Sequence, residues 1–568
     1  MLRDNWMSNS KDKKLNSLRN AKRVMNFNKP QVGTRFRSLS VAFFVGCMAF
    51  LGQTVAQAQT VPTPQPQIDV NDDKYILHST PSEVPQANIT GFASPISSLS
   101  LSLPDSVIKG NNLVIDTVSE SSLKNRENLL AAAETSYTNL KAAVTDTAPE
   151  REYNLETDEN LTENLGAMGG ANSVLTINGN GYGINASYTT SSVDPDTGEE
   201  TTTTTHLKGI TVGSGQTLNI NDVEANGGFN GFYAAPDGGV LNIANGGVVN
   251  INNSVFTDNS ASYKGGVMRN QGTVVIEDSL FENNTINNNA GGVLFLESNS
   301  TTTINNSNFV ANGNNMRNAA AIYNLGNTAI TDSTFTSNTA SNGGAIYNAA
   351  SGDKALTVTD SIFTDNIATN QGGAIYNSGT VNYTATKAQT ISGNTAGSLA
   401  GAIFNSGTLN FIGGEYLTFN GNETTKSNAN NGGGAIYNAA TGVIAGMNGM
   451  KFRNNAASGS SNGGAIRNQG LIQGGIKNSI FTSNTGYSGG AIYNTATGNN
   501  ALTVKNSTFK SNKANYQGSA VYNTGTTSII DSIFNLNESS HSGAVANTGK
   551  VSIVDSKFNF NKSDFLEL

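Results

Sequence analysis

From residue 250 onward, apolar and polar positions recur in a fixed order that is neither a helical stripe nor a simple two-residue alternation. Phe-x-x-Asn occurs at Phe256/Asn259, Phe281/Asn284, Phe309/Asn312, Phe335/Asn338, Phe363/Asn366, Phe419/Asn422, Phe452/Asn455, Phe481/Asn484, Phe509/Asn512, Phe534/Asn537 and Phe558/Asn561, with Ile391/Asn394 filling the one gap. Twelve copies therefore follow one another at 24 to 33 residues. Between them lies Gly-Gly-Ala-Ile-Tyr-Asn, intact at 343–348, 372–377, 433–438 and 489–494, with seven degenerate copies from Gly265 to Asn547. A period near 28 with several short strands per unit predicts a β-solenoid, each coil pairing its backbone with its neighbours.

Variation within each column predicts which way it faces. The Ile column holds Met268, Leu294, Ile322, Ile346, Ile375, Ile403, Ile436, Ile466, Ile492, Val521 and Val545, aliphatic throughout, and is assigned to the bore. The adjacent Tyr column tolerates Arg269, Arg467 and Ala546 and is assigned to the outside. Asn follows two places after the Ile in ten of eleven copies; this pattern predicts a corner in left-handed geometry whose amide reaches the next coil, forming a ladder. Length differences, longest between Phe419 and Gly434, are expected to bulge as loops ahead of Gly-Gly.

Upstream the pattern changes. Residues 166–249 read as degenerate coils, with alternating apolar residues from Val174 onward. Residues 59–165 form a mixed segment: a Pro-rich start, a helical spacing over 122–144 (Leu123, Leu129, Leu130, Ala133, Tyr137, Leu140, Val144), and an acidic linker or cap from Glu150 to Glu163. Residues 1–58 carry ten basic side chains, then the uncharged run Leu39–Leu51, then Ala56-Gln-Ala58. They read as a Sec signal peptide cleaved after Ala58, with lipidation at Cys47 as the lesser alternative.

Composition removes several functional classes. Only 13% of residues are charged and about one in seven is Asn, which a helical protein of 568 residues would not show. Ten of the 33 basic and two of the 41 acidic side chains fall in residues 1–58, leaving 23 against 39. Phosphate binding needs clustered Lys and Arg, so no nucleic-acid partner is expected. Three His and one Cys leave little material for a zinc site or a thiol nucleophile, and Cys47 departs with the signal. No cofactor or metal is expected.

Two candidate sites remain. The (Asp/Asn)-Ser-x-Phe corners place Asp332 near Asp360, and Asp531 near Asp555, on adjacent coils, the spacing a polysaccharide lyase or glycoside hydrolase would use. The same column holds Asn253, Asn306, Asn478 and Asn506, so the position asks for an Asx-type turn and no catalytic residue is assigned. Calcium between stacked Asp pairs is disfavoured because no Gly-Gly-x-Gly-x-Asp repeat occurs. His78, His206 and His541 are far apart and read as solvated. The second candidate is the Tyr column itself, Tyr323, Tyr347, Tyr376, Phe404, Tyr437, Tyr493 and Tyr522, whose aromatics at constant pitch suit stacking on a glycan or partner unless loops cover them.

Eleven interleaved pairs of Phe-x-x-Asn and Gly-Gly-Ala-(Ile/Val/Leu) resemble the repeat of the chlamydial-type polymorphic membrane proteins, autotransporter adhesins. The resemblance implies a right-handed parallel β-helix, a pectin-lyase-like solenoid, exported to the cell surface or outer membrane, or secreted, and attaching to a receptor or glycan on host or neighbouring cells. It also implies a C-terminal outer-membrane β-barrel translocator. This chain instead ends at Leu568, ten residues after Phe558, where the next Gly-Gly falls due, and reads as a passenger cut short. The chlamydial proteins are Cys-rich, whereas residues 59–568 contain no Cys. The expectation is an all-β, non-enzymatic surface passenger, with a carbohydrate-active β-helix as the alternative.

Overall fold

The computed structural model describes residue 137, residues 139–564 apart from 195–196, 198, 235, 288–290 and 314–317, and the strands Asn88–Ile89 and Leu101–Ser102. The expected signal peptide and most of the expected 122–144 helix lie outside the described residues. The chain divides into two units, Met1–Ala132 and Ala133–Leu568. In the first, Asn88–Ile89 pairs antiparallel with Leu101–Ser102.

The second unit is a parallel β-solenoid. One coil shows the design: Ile346–Asn348, Leu356–Thr359, Ile362–Thr364 and Ile367–Gln371 each pair in parallel with the equivalent strand one coil on. Repeated along the chain, the Ile strands form a sheet of 14 and the Phe strands a sheet of 15. The third face is a sheet of 12 and a sheet of four, divided where Gly474 and Gly475 take φ of 77° and 75° between Leu471–Gln473 and Ile476–Lys477. The first coil already uses Glu150–Asn154, Glu159–Asn160 and Gly166–Ala167, so solenoid pairing begins within the acidic stretch, ahead of residue 166.

A short helix covers the first coil. Leu140–Thr145 is capped by the Asn139 side chain, which accepts from the Ala142 amide at 2.9 Å, and it buries Leu140, Ala143 and Val144 in the solenoid core. Arg151, almost fully buried, closes its C-terminal end by donating to the carbonyls of Ala143, Val144 and Asp146, and to Ser173 Oγ at 2.7 Å.

The bore is filled by stacks. The Phe rings from Phe229 to Phe363, and again from Phe419 to Phe558, lie face to face at 4.7 to 5.2 Å. Ile391 interrupts the column. There Tyr383 and Phe411, from the adjoining sheet, supply tilted and edge-on rings at 6.2 to 6.4 Å, and the buried Tyr383 hydroxyl donates to the Ser361 carbonyl at 2.6 Å.

Buried amides need partners, and the repeat provides them in two ladders. In the first, from Asn259 to Asn561, each Oδ1 accepts the backbone N–H and the Nδ2–H of the Asn one coil earlier. The same Nδ2 donates to the Phe carbonyl one coil back, as Asn338 does to Phe309 at 2.9 Å. The second ladder is the one expected after the Ile, running from Asn324 to Asn547 at 2.7 to 3.0 Å. Its geometry differs from the expectation: none of these Asn has a positive φ, because they lie inside the coil at the end of a strand. Leu296 replaces the Asn in one copy, and Asn270 turns to Thr302 Oγ1 instead.

Left-handed geometry sits elsewhere. It falls on the Asp or Asn before each corner Ser (Asn253, Asp278, Asn306, Asp332, Asp360, Asn478, Asn506, Asp531 and Asp555, φ 44 to 51°), where Ser hydroxyls form a third ladder by accepting the preceding coil's Ser amide, as in Ser333 to Ser361 at 3.1 Å. It falls also on the first Gly of Gly-Gly, as at Gly343 (φ 63°), while a Cβ on Gly344 would meet the Gly373 carbonyl oxygen at 2.0 Å. The pair is thus one glycine for the turn and one for clearance between coils.

Candidate functional site

The Tyr column is the middle position of the Ile strands, each ring lying between a buried aliphatic residue and a buried Asn, as in Ile346–Asn348. Its rings do not stand free. Phe295, which the sequence reading left out, stacks on Tyr323 at 4.9 Å, and the stack continues through Tyr347, Tyr376 and Phe404 at 4.5 to 4.8 Å to Tyr437 at 5.5 Å. Tyr323, Tyr347 and Tyr376 are half-buried, whereas Phe404 and Tyr437 are 7% and 6% exposed and pack with Ala400 and Leu399. The column lies outside the bore, as expected, but as a partly covered layer: Tyr323 to Tyr376 are partly open, Phe404 and Tyr437 are closed, and Tyr493 and Tyr522 are again half-buried.

Arg467 explains the closure. The bulge expected between Phe419 and Gly434 exists, and residues 425–433 carry it over the column. Arg467 Nη1 donates to the carbonyls of Ala429 at 2.9 Å and Asn431 at 2.6 Å, and its guanidinium lies 5.6 Å from the Tyr437 ring centre and 5.2 Å from that of Tyr493. Asn462 Nδ2 donates to the same Ala429 carbonyl at 2.8 Å. Arg467 was read as a sign of exposure, but it is 5% exposed: two carbonyl acceptors at Nη1 and two aromatic faces offset part of its lost hydration, while the buried Nε has no acceptor. Tyr493 and Tyr522 form a separate stacked pair at 5.2 Å beyond it.

The opposite end carries an ionic cluster. Arg269 bonds Glu297 through Nε at 3.0 Å and approaches Asp237 at 3.3 Å, while Lys264 pairs with Glu297 at 2.8 Å and sits 4.6 Å from the Phe295 ring centre. Burial pushes the Glu297 carboxyl up, but Lys264 and Arg269 outweigh it and hold it below its ordinary value. Burial also raises the hydroxyls of Tyr323, Tyr347, Tyr437 and Tyr493, so this face presents neutral phenols.

Three of the four carboxylate candidates are engaged by neighbours, and the fourth, Asp555, is exposed at the last corner. Asp332 is ion-paired with Lys387. Asp360 accepts the Thr386 amide at 2.8 Å and bonds the Thr386 hydroxyl; burial raises its carboxyl, yet these bonds and the Lys387 charge bring it below the usual carboxylate value. A general acid needs the opposite shift. Asp531 lies 3.9 Å from Lys505. Beside the first coils a cavity is lined by Asp158, Asn160, Asn185, Asn226 and Asn230, but Asp158 is bonded to the Gly183 amide and to Asn226, and Asn160 to Asn185. Among the described residues no three His, Cys, Asp or Glu side chains gather as metal ligands, and no helix is long and apolar enough to cross a membrane.

Two features escaped the sequence reading. Tyr487, Tyr516 and His541 form a short outer row at 5.3 and 4.6 Å, so His541 packs on a ring; each stands two places before a Gly, a spacing the irregular sequence around it hides. His206 Nδ1 lies 2.9 Å from the Gly231 carbonyl oxygen, and His78 is outside the described residues. The larger omission is an antiparallel hairpin, Ser187–Val193 with Glu200–His206. Its signal was available as Asp194-Pro-Asp-Thr-Gly198 between two Thr-rich runs.

Fold and face together define a repeat solenoid that presents side chains coil after coil along one stacked column. Residues 332–349 and 360–378 match the model of the Chlamydia polymorphic membrane protein repeat. Each match spans one unit from its Asp-Ser-x-Phe corner through Gly-Gly-Ala-Ile-Tyr-Asn. No curated protein and no solved structure matches the chain. The matched repeat and the parallel coils fit a surface-exposed passenger β-helix of the polymorphic membrane protein kind.

Proposed function

We propose that this chain is a non-enzymatic adhesin, exported through its Sec signal, carried over the outer membrane by a β-barrel translocator, and attaching to a receptor or glycan on host or neighbouring cells. The observation that carries the reading is the open stretch of stacked rings, Tyr323 to Tyr376, which rests on the buried Phe295. Its half-exposed phenols are neutral, rigidly held and spaced one per coil, an arrangement suited to stacking on sugar rings or flat apolar groups. What supports the non-enzymatic part is that the Asp corners serve turn geometry and that their carboxylates are tied to Lys387 and Thr386.

The test is adhesion of cells displaying residues 59–568 fused to a β-barrel translocator. Tyr347→Ala with Tyr376→Ala is expected to reduce binding about tenfold or more without loss of display. The unfused chain is expected to remain in the periplasm or leak. Undiminished binding by the double variant would remove the aromatic face from the proposal, and turnover of acidic polysaccharides abolished by Asp332→Asn or Asp360→Asn would replace adhesion by catalysis.

A further inference from the structure

The hairpin leaves the solenoid after Ala186 and returns at Leu207, both buried, where the Leu207 amide donates to the Ala186 carbonyl at 2.8 Å. Between these points it is an arm. Ser187–Val193 pairs with Glu200–His206 in the register Ser187↔His206 to Val193↔Glu200, and all but Ser187 and Thr205 of the fourteen strand residues are exposed. Within the described structure the two strands pair only with each other, so each leaves an open backbone edge. A two-stranded ribbon exposed on both faces is marginal in water on its own. Natural edges are defended by Lys, Pro or a bulge; neither strand contains one. Nothing in the solenoid repeat requires this arm, since the coils before and after it pair directly, Ile184↔Phe229 and Asn185↔Asn230.

The charges on the arm are polarised along its length. Asp194, Glu199 and Glu200 lie at the tip, while His206 and Lys208 lie at the base. Between them run five consecutive Thr, 201–205, all β-branched and suited to cross-strand pairing. Laid antiparallel on a copy of itself and centred on Thr203, the strand 200–206 sets Glu200 opposite His206 and Thr201 opposite Thr205, and brings Lys208 beside the partner's acidic turn. A parallel arrangement in register would set Glu200 against Glu200.

We propose that the arm is a self-association site, in which Glu200–His206 pairs antiparallel, about a twofold axis at Thr203, with the same strand of a second copy of this chain. Such an interface is isologous: it closes on two copies and does not grow. A single pair of seven-residue strands is a weak contact, and copies crowded on facing surfaces multiply it. That consequence, contact between like cells, rests on the surface placement proposed above; the pairing in solution does not.

The test uses the full chain in sedimentation equilibrium. Wild type is expected to show a concentration-dependent dimer. Glu199→Lys/Glu200→Lys cancels the charge of Asp194 and Asp196 at the tip and sets a cation opposite His206 and Lys208 at both contacts, and His206→Glu/Lys208→Glu sets acid against acid at both; each variant alone is expected to associate at least about tenfold more weakly. An equimolar mixture of the two restores opposite charges at both contacts and is expected to recover the dimer. All four residues are exposed, but His206 also reaches the Gly231 carbonyl of the solenoid, so β-sheet circular dichroism is required to be unchanged in each variant before its association is compared. A wild type that stays monomeric to about 1 mM, variants that dimerise as wild type does, or a mixture that fails to recover would each overturn the proposal. Tyr347→Ala must leave the dimer unchanged, which separates this inference from the fate of the aromatic face.

Discussion

Asn338 and Asn366, one coil apart, are joined twice through a single atom: Asn366 Oδ1 accepts the Asn338 backbone N–H at 3.1 Å and its Nδ2–H at 2.9 Å. Asn366 Nδ2 in turn donates to Asn394 Oδ1 and the Phe335 carbonyl, both at 2.9 Å. Removing this side chain strands buried donors and acceptors on both neighbouring coils. Asn366→Ala is expected to cost about 2–4 kcal/mol and to accelerate hydrogen exchange at the Asn338 amide. Lys510→Ala, exposed at the end of a Phe strand, is expected to stay within about 0.5 kcal/mol in the same denaturation measurement.

The break in the Phe column predicts a coupled pair. Ile391→Phe alone overfills space already occupied by Tyr383 and Phe411 and is expected to destabilise by about 1–3 kcal/mol. Tyr383→Val alone opens a cavity and strips the Ser361 carbonyl of its donor, an expected loss of about 2–4 kcal/mol. Together they are expected to cost at least about 1 kcal/mol less than the sum, measured by a double-mutant cycle in urea.

Arg467→Met keeps the stem volume but loses the donors to Ala429 and Asn431. The loop it holds contains exposed Lys426. Trypsin cleavage at Lys426 is expected to rise about tenfold or more, while the rest of the solenoid retains its protease resistance.

Alkaline pH is expected to destabilise the solenoid. Burial raises the hydroxyls of Tyr323, Tyr347, Tyr383, Tyr437 and Tyr493, so the folded state holds protons that the unfolded state releases near the ordinary tyrosine value of about 10. Their contribution is complete below that pH and is lost as pH rises through the higher folded values. Tyrosinate absorbance is therefore expected to lag behind that of free tyrosine and to appear together with loss of β-sheet circular dichroism.

The sequence showed what repeats and hid what compensates. The Phe, Ile and Gly-Gly columns were legible because a bore and a tight turn admit few residue types, and the Asp332 column was legible as a turn because Asn substitutes for Asp there. Asn348 and Asn338 look equivalent in the sequence; only backbone geometry shows that both are interior ladders and that the left-handed corner belongs to their neighbours. Arg467 looked like a surface residue because the loop covering it lies 36 to 38 positions away. The arm had no hydrophobic alternation to read, since Thr can serve either face of a strand.

The ladders also bear on inheritance. Every coil from Phe256 to Phe558 offers its neighbours the same Asn contacts above and below, with Phe at each rung but one, although its length varies from 24 to 33 residues. Unequal crossing-over between such near-identical units deletes or duplicates a whole rung and joins surfaces that already match. The aromatic column and the arm occupy separate stretches of the gene, so recombination between later units can change the number of coils without altering the arm.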